Sequence, residues 1–119
     1  MSDAPAFSYT RLYAEEGVSH FEDVVVPAGA EGAIPALAVD SMVPCNLVGT
    51  PPAPTSHNAP RRQFIVHLEG SVEVEASAGE IRRFGPGAVV LAEDLDGRGH
   101  VTTWAGEGPW SWLLLPTNG

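Results

Sequence analysis

The chain has 119 residues, 44% of them hydrophobic and 18% charged, and sets six basic side chains against fifteen acidic ones for a formal net charge of -9 at pH 7. That is enough apolar matter for one packed domain, which excludes a disordered segment and, with thirteen Gly and eleven Pro scattered without a repeat, a collagen-like chain. All six cations are arginine, which excludes a Schiff-base or phosphate-loop lysine, and the acidic balance argues against nucleic acid or anionic membrane as partner.

In chain order, residues 1–6 read as a frayed terminus and 7–119 as the domain. Phe7 to Tyr13 alternates as a strand, Glu15-Glu16-Gly17 turns the chain, and Ser19 to Val26 forms a second strand ending at Pro27. Pro27 to Pro35 reads as a loop, and Ala36 to Val43 and Cys45 to Val48 as short irregular strands. Gly49 to Pro60 carries four prolines and His57 and reads as a loop over a site. The remaining strands are Gln63 to Leu68, Val72 to Ala76, Glu80 to Phe84, Ala88 to Ala92, His100 to Trp104 and Trp110 to Leu115. Glu69-Gly70 and Ala78-Gly79 are expected as hairpin turns and Phe84 to Gly87 as a corner. The expectation is an all-β, single-domain protein with little helix. The lone Cys45 forms no internal disulfide, no leader is legible and no apolar run reaches membrane-spanning length, so a cytoplasmic setting is expected.

The stretch Gln63 to Trp104 resembles the central hairpins of the cupin superfamily, which implies a jelly-roll barrel. With Gly70 as the last residue of the first cupin motif, the metal-ligand slots fall on His57, Ala59 and Gln63; in the second motif Gly97 and His100 match, while Leu95 and Trp104 stand where Pro and Asn are usual. The segment Arg11 to Val24 is similar to the opening of small bacterial cupin-like proteins. The resemblance implies a metal site of His57, Gln63 and His100 for Fe, Mn, Ni or Zn. A glutamine carbonyl in place of glutamate removes a negative charge, so the cofactor expectation is none or a weakly bound divalent transition metal. His20, His67 or a carboxylate from Glu93 to Asp96 would have to complete a stronger cage.

Several polar residues need placing beside this. Gln63, Ile65 and His67 share one strand face, so all three enter the interior if one does, and a buried imidazole there needs a partner. Arg62 takes the opposite face and is expected to pair with Glu73 or Glu75. The Val72/Val74 and Glu73/Glu75 alternation is a solvated outer face. Trp104, Trp110 and Trp112 supply core or pocket wall. Ser19 and His20 point to opposite faces and make no catalytic pair. Cys45 reads as a small buried hydrophobe.

Three functions of different class remain open. The first is a non-redox enzyme on a small organic molecule, with His100 and His57 as acid/base catalysts for dehydration, isomerisation or cyclisation, and Gln63, His67, Trp104 and Tyr13 binding substrate. The second is a metal-dependent oxygenase or lyase. The third is a non-catalytic small-molecule binding module. A homodimer joined through the strands of 7–26 is the expected assembly.

Overall fold

A computed structural model describes residues 6–27 and 37–118. Among the described residues ten strands follow one another: β1 (Ala6–Glu15), β2 (Val18–Pro27), β3 (Val43–Leu47), β4 (Ser56–His57), β5 (Gln63–Glu69), β6 (Ser71–Ala76), β7 (Ile81–Phe84), β8 (Val89–Glu93), β9 (His100–Ala105) and β10 (Trp110–Pro116). Among the described residues no helix forms, so none is long and apolar enough to cross a membrane. The readings of residues 1–5 and 28–36 lie outside the described residues. Residues 37–42 form no strand; the strand expected from Ala36 starts only at Val43, where pairing with β10 begins.

The strands form two sheets, one in the order β2-β1-β8-β5-β10-β3 and one in the order β4-β9-β6-β7. They keep edges at β2, β3, β4 and β7 and do not close into one continuous ladder. Pairing is antiparallel except where β1 lies parallel to β8, with Leu12 opposite Ala92. The sheets face each other, because the alternating apolar residues of each meet in one core of Leu12 and Val90 from the larger sheet and Val72, Val74, Ala76 and Phe84 from the smaller. Glu73 and Glu75, the intervening residues of β6, are exposed.

Three expectations change. Glu69-Gly70 is not a hairpin turn: β5 and β6 belong to different sheets, and Gly70 is the single residue on which the chain passes between them. It does so at φ 78° with its Cα against Trp110, where a side chain would put a Cβ 2.4 Å from the indole Cδ1. Ala78-Gly79 does turn a hairpin, joining β6 to β7. Arg62 does not pair with Glu73 or Glu75 but donates from Nε to Glu93 Oε2 at 2.5 Å, because it sits on the outer face of the larger sheet, whereas the Glu73 carboxylate, on the other sheet, lies 3.9 Å from Arg83. Cys45 is only partly buried.

Candidate functional site

Between the sheets lies a cavity of about 330 Å³ whose wall is mostly apolar. Strand alternation builds it in tiers. At one end, His100 of β9 lies across from His57 of β4 and beside Ala76 of β6, and faces Gln63 of β5 with Ala92 of β8. Two residues along each strand come Thr102, Val74, Ile65, Val90 and Leu114, an almost wholly aliphatic middle. Two residues further stand Trp104, Val72, His67 and Trp112. Period-two geometry thus carries His100, Thr102 and Trp104 on one side and Gln63, Ile65 and His67 on the other into the same space.

His100 is buried and donates Nδ1–H to Oδ2 of Asp94 at 2.5 Å, and Asp94 is wholly buried. That bond selects the tautomer in which Nε2 carries the lone pair, with the ring on the cavity wall. Asp94 is placed by the same alternation: Ala92 faces in, Glu93 out and Asp94 in. Glu93 is clamped on the outer face by Arg62 and by Arg11, whose Nε donates to Oε1 at 2.5 Å. Burial works to raise the Glu93 pKa, and the bonds and charges of Arg62 and Arg11 outweigh it, holding the carboxyl below its usual range. The turn after Asp94 is tied down by Arg98 N–H to Gly17 O at 2.9 Å, and the carbonyl of Gly99 accepts from the buried Ser19 hydroxyl at 2.7 Å.

His57 is exposed, its ring 4.5 Å from that of His100 between centroids, and its Nδ1–H donates to the Thr55 carbonyl at 3.3 Å. It lies on a two-residue strand rather than a free loop. The segment is fixed further by Ser56 Oγ–H to Arg98 O at 2.7 Å and by Ala59 N–H to Asp94 O at 3.1 Å. Gln63 is buried, and among the described residues neither its Oε1 nor Oδ1 of Asp94 has a hydrogen-bond partner. His67 stacks on Phe84 at 6.1 Å and 4°, and burial pushes its pKa down, so the ring is neutral at pH 7.

The structure therefore brings His57, Gln63, His67, His100 and Trp104 to one cavity. Tyr13 is placed elsewhere: it follows Leu12, which points into the cavity, so it faces outward, under the Arg11 guanidinium at 4.3 Å and 5.6 Å from the His20 ring. His20 shares that outer face. Of the acidic turn, Glu93 is committed to arginines and Asp94 to His100. In sequence Asp94 is one acid in a cluster; extending the period of Val90 and Ala92 by two residues is the signal that puts it inside. Trp112 joins the wall as well, 4.9 Å from Trp104 between ring centroids.

The metal implied by the resemblance meets a weak donor set. His57, His100 and Gln63 offer two neutral imidazoles and an amide, and the adjacent carboxylate, Asp94, is spent on the rear nitrogen of His100. Among the described residues no group of three or more His, Cys, Asp and Glu converges as ligands. These residues do not fit a tightly held divalent ion. No family model matches the chain, and no curated protein matches it.

Proposed function

We propose that the chain is a cupin-type jelly roll that catalyses non-redox acid/base chemistry on a small organic molecule in its interior, with His100 as the catalyst. The observation that carries this is the buried Asp94 carboxylate on Nδ1 of an imidazole whose other nitrogen borders an apolar cavity. In that arrangement Nε2 of His100 takes a proton from a carbon next to a carbonyl or from a hydroxyl, and the electron pair moves into the adjacent π system. Asp94 stabilises the imidazolium as it forms, as a buried carboxylate does for the histidine of serine hydrolases. The imidazolium then returns the proton to a different atom, giving isomerisation, or to a departing hydroxide, giving dehydration with release of water; where a deprotonated hydroxyl oxygen adds to an activated double bond of the same molecule, the new C–O bond closes a ring and the imidazolium protonates the carbon left with the electron pair. His57, exposed and in ring contact with His100, exchanges that proton with solvent.

The test is deuterium exchange at the α-carbons of 2-tetralone in D2O, followed by proton NMR. The wild type accelerates exchange over buffer and His100→Ala falls back to the buffer rate. No acceleration by the wild type, or full acceleration by His100→Ala, refutes the reading. The rival reading, a metal-dependent oxygenase or lyase, has in its favour only the closeness of the two imidazoles, 4.5 Å between centroids. Near-stoichiometric Fe, Mn, Ni or Zn in protein prepared without chelator, lost on His100→Ala, replaces the imidazole mechanism with that one. A ligand bound and released unchanged over long incubation makes the chain a binding module instead.

A further inference from the structure

The tier farthest from His100 is built differently from the rest of the cavity. From His100 to Trp104 and from Gln63 to His67 is four residues of strand, about 13 Å at ~3.3 Å per residue. The near end thus holds His100, the aliphatic middle carries no charge, and the far end holds one imidazole, His67, in the same tier as Trp104 and Trp112. Trp112 is the cross-strand neighbour of His67, and Trp104 reaches Trp112 from the opposite sheet. His67 is held against Phe84 by stacking, and among the described residues no protein group hydrogen-bonds its ring nitrogens. A polar group lining an apolar cavity without a protein partner costs free energy until something occupies it. Among the described residues no arginine lines the cavity, the chain has no lysine, and its net charge is -9, so no fixed positive side chain there compensates a ligand anion.

We infer that the cavity takes an uncharged, flat molecule of two fused rings, its far ring lying against Trp104 and Trp112 with a hydroxyl or carbonyl bonded to His67, and its reacting carbon at the His100 end. This deepens the acid/base reading and rests on it for the role of His100, while the recognition end stands on its own geometry. Indole faces favour a flat π system over a saturated ring of the same size. A neutral imidazole gives one donor and one acceptor, so it recognises a hydroxyl or a carbonyl without demanding charge. The separation of the two ends sets the length: a fused bicycle with a polar substituent at one extremity spans it, and a single ring does not.

The probe is 2-naphthol, with decahydro-2-naphthol as its saturated counterpart and 2-naphthoate as its anion, each titrated calorimetrically into the full chain. The wild type is expected to bind 2-naphthol at least tenfold more tightly than either comparison compound. His67→Phe weakens 2-naphthol at least tenfold, His67→Gln, which keeps a donor and an acceptor, restores most of it, and Trp104→Leu removes the preference for the flat ring. Equal binding of the saturated alcohol or of the anion, or unchanged binding by both His67 variants, overturns the inference. The two readings fail separately: loss of 2-tetralone exchange with this binding pattern intact overturns the acid/base chemistry alone, and intact His100-dependent exchange without the pattern overturns the ligand class alone.

Discussion

At the scale of single residues, the centre of the molecule is a division of labour between two neighbours in sequence. Glu93 faces out and is gripped by two arginines; Asp94 faces in and holds His100. Asp94→Asn keeps the shape of that contact and removes the charge that steadies an imidazolium, so 2-tetralone exchange is expected to fall by about 100-fold, within the range of a general acid/base contribution, with the fold retained by near-ultraviolet circular dichroism. Glu93 affects stability instead. Its folded pKa lies below the usual glutamate value of 4.5, so the unfolded chain takes up the proton first as pH falls. Its contribution is fully present above that value and is lost as pH drops through the folded pKa. Glu93→Gln is therefore expected to lower Tm at pH 7 by a modest amount and to lower it less at pH 3, a comparison that thermal melts at the two pH values decide. Equal destabilisation at both would show that the carboxylate charge is irrelevant. Asp94 was legible in the sequence only as one acid among several, since its role depends on a partner beyond a turn and on which face the strand turns inward.

At the scale of elements, the strands after the Pro-rich stretch from Gly49 to Pro60 were readable to within a residue or two, because Val and Glu alternate cleanly along β6 and Gly or Pro marks most strand ends. Which sheet each strand joins was not readable. Glu69-Gly70 has the composition of a hairpin turn, and only the non-local pairings of β5 with β8 and β10, and of β6 with β7 and β9, reveal a crossing. Gly70→Ala puts a Cβ 2.4 Å from Trp110 at a positive φ. It is expected to cost about 1–3 kcal/mol for the backbone strain alone, measured by denaturant unfolding; a neutral result would mean that Trp110 yields freely. Gly99 makes a second close approach, where a Cβ would lie 2.3 Å from the carbonyl oxygen of His57. Gly99→Ala should then displace β4 from β9 with little harm to the core, visible as a larger loss of exchange activity than of Tm. The reverse order of losses would show that β4 is not what positions the site.

At the scale of the whole molecule, charge and chemistry occupy different places. Most of the acids lie on exposed faces and turns, whereas the space between the sheets is lined by aliphatic, aromatic and imidazole groups. The all-β class followed from turn residues and alternation, but the cavity did not, because it exists only once two sheets that share few sequence neighbours face each other. A consequence for binding is that affinity for a neutral probe should be nearly independent of ionic strength: 2-naphthol is expected to change by less than twofold between 50 and 500 mM NaCl. Binding of 2-naphthoate should improve as salt screens the repulsion from the acidic shell. A steep salt dependence for the neutral compound would place it on the surface instead.

The three tryptophans of the chain are all neighbours, Trp104 lying 5.6 Å from Trp110 and 4.9 Å from Trp112 between ring centroids. Indole emission from this protein therefore originates at one end of one cavity, and two of its three sources form the wall there. The molecule carries a built-in optical gauge: excited at the red edge, where Tyr9 and Tyr13 do not absorb, its indole fluorescence reads out events at the His67 end with no label to attach.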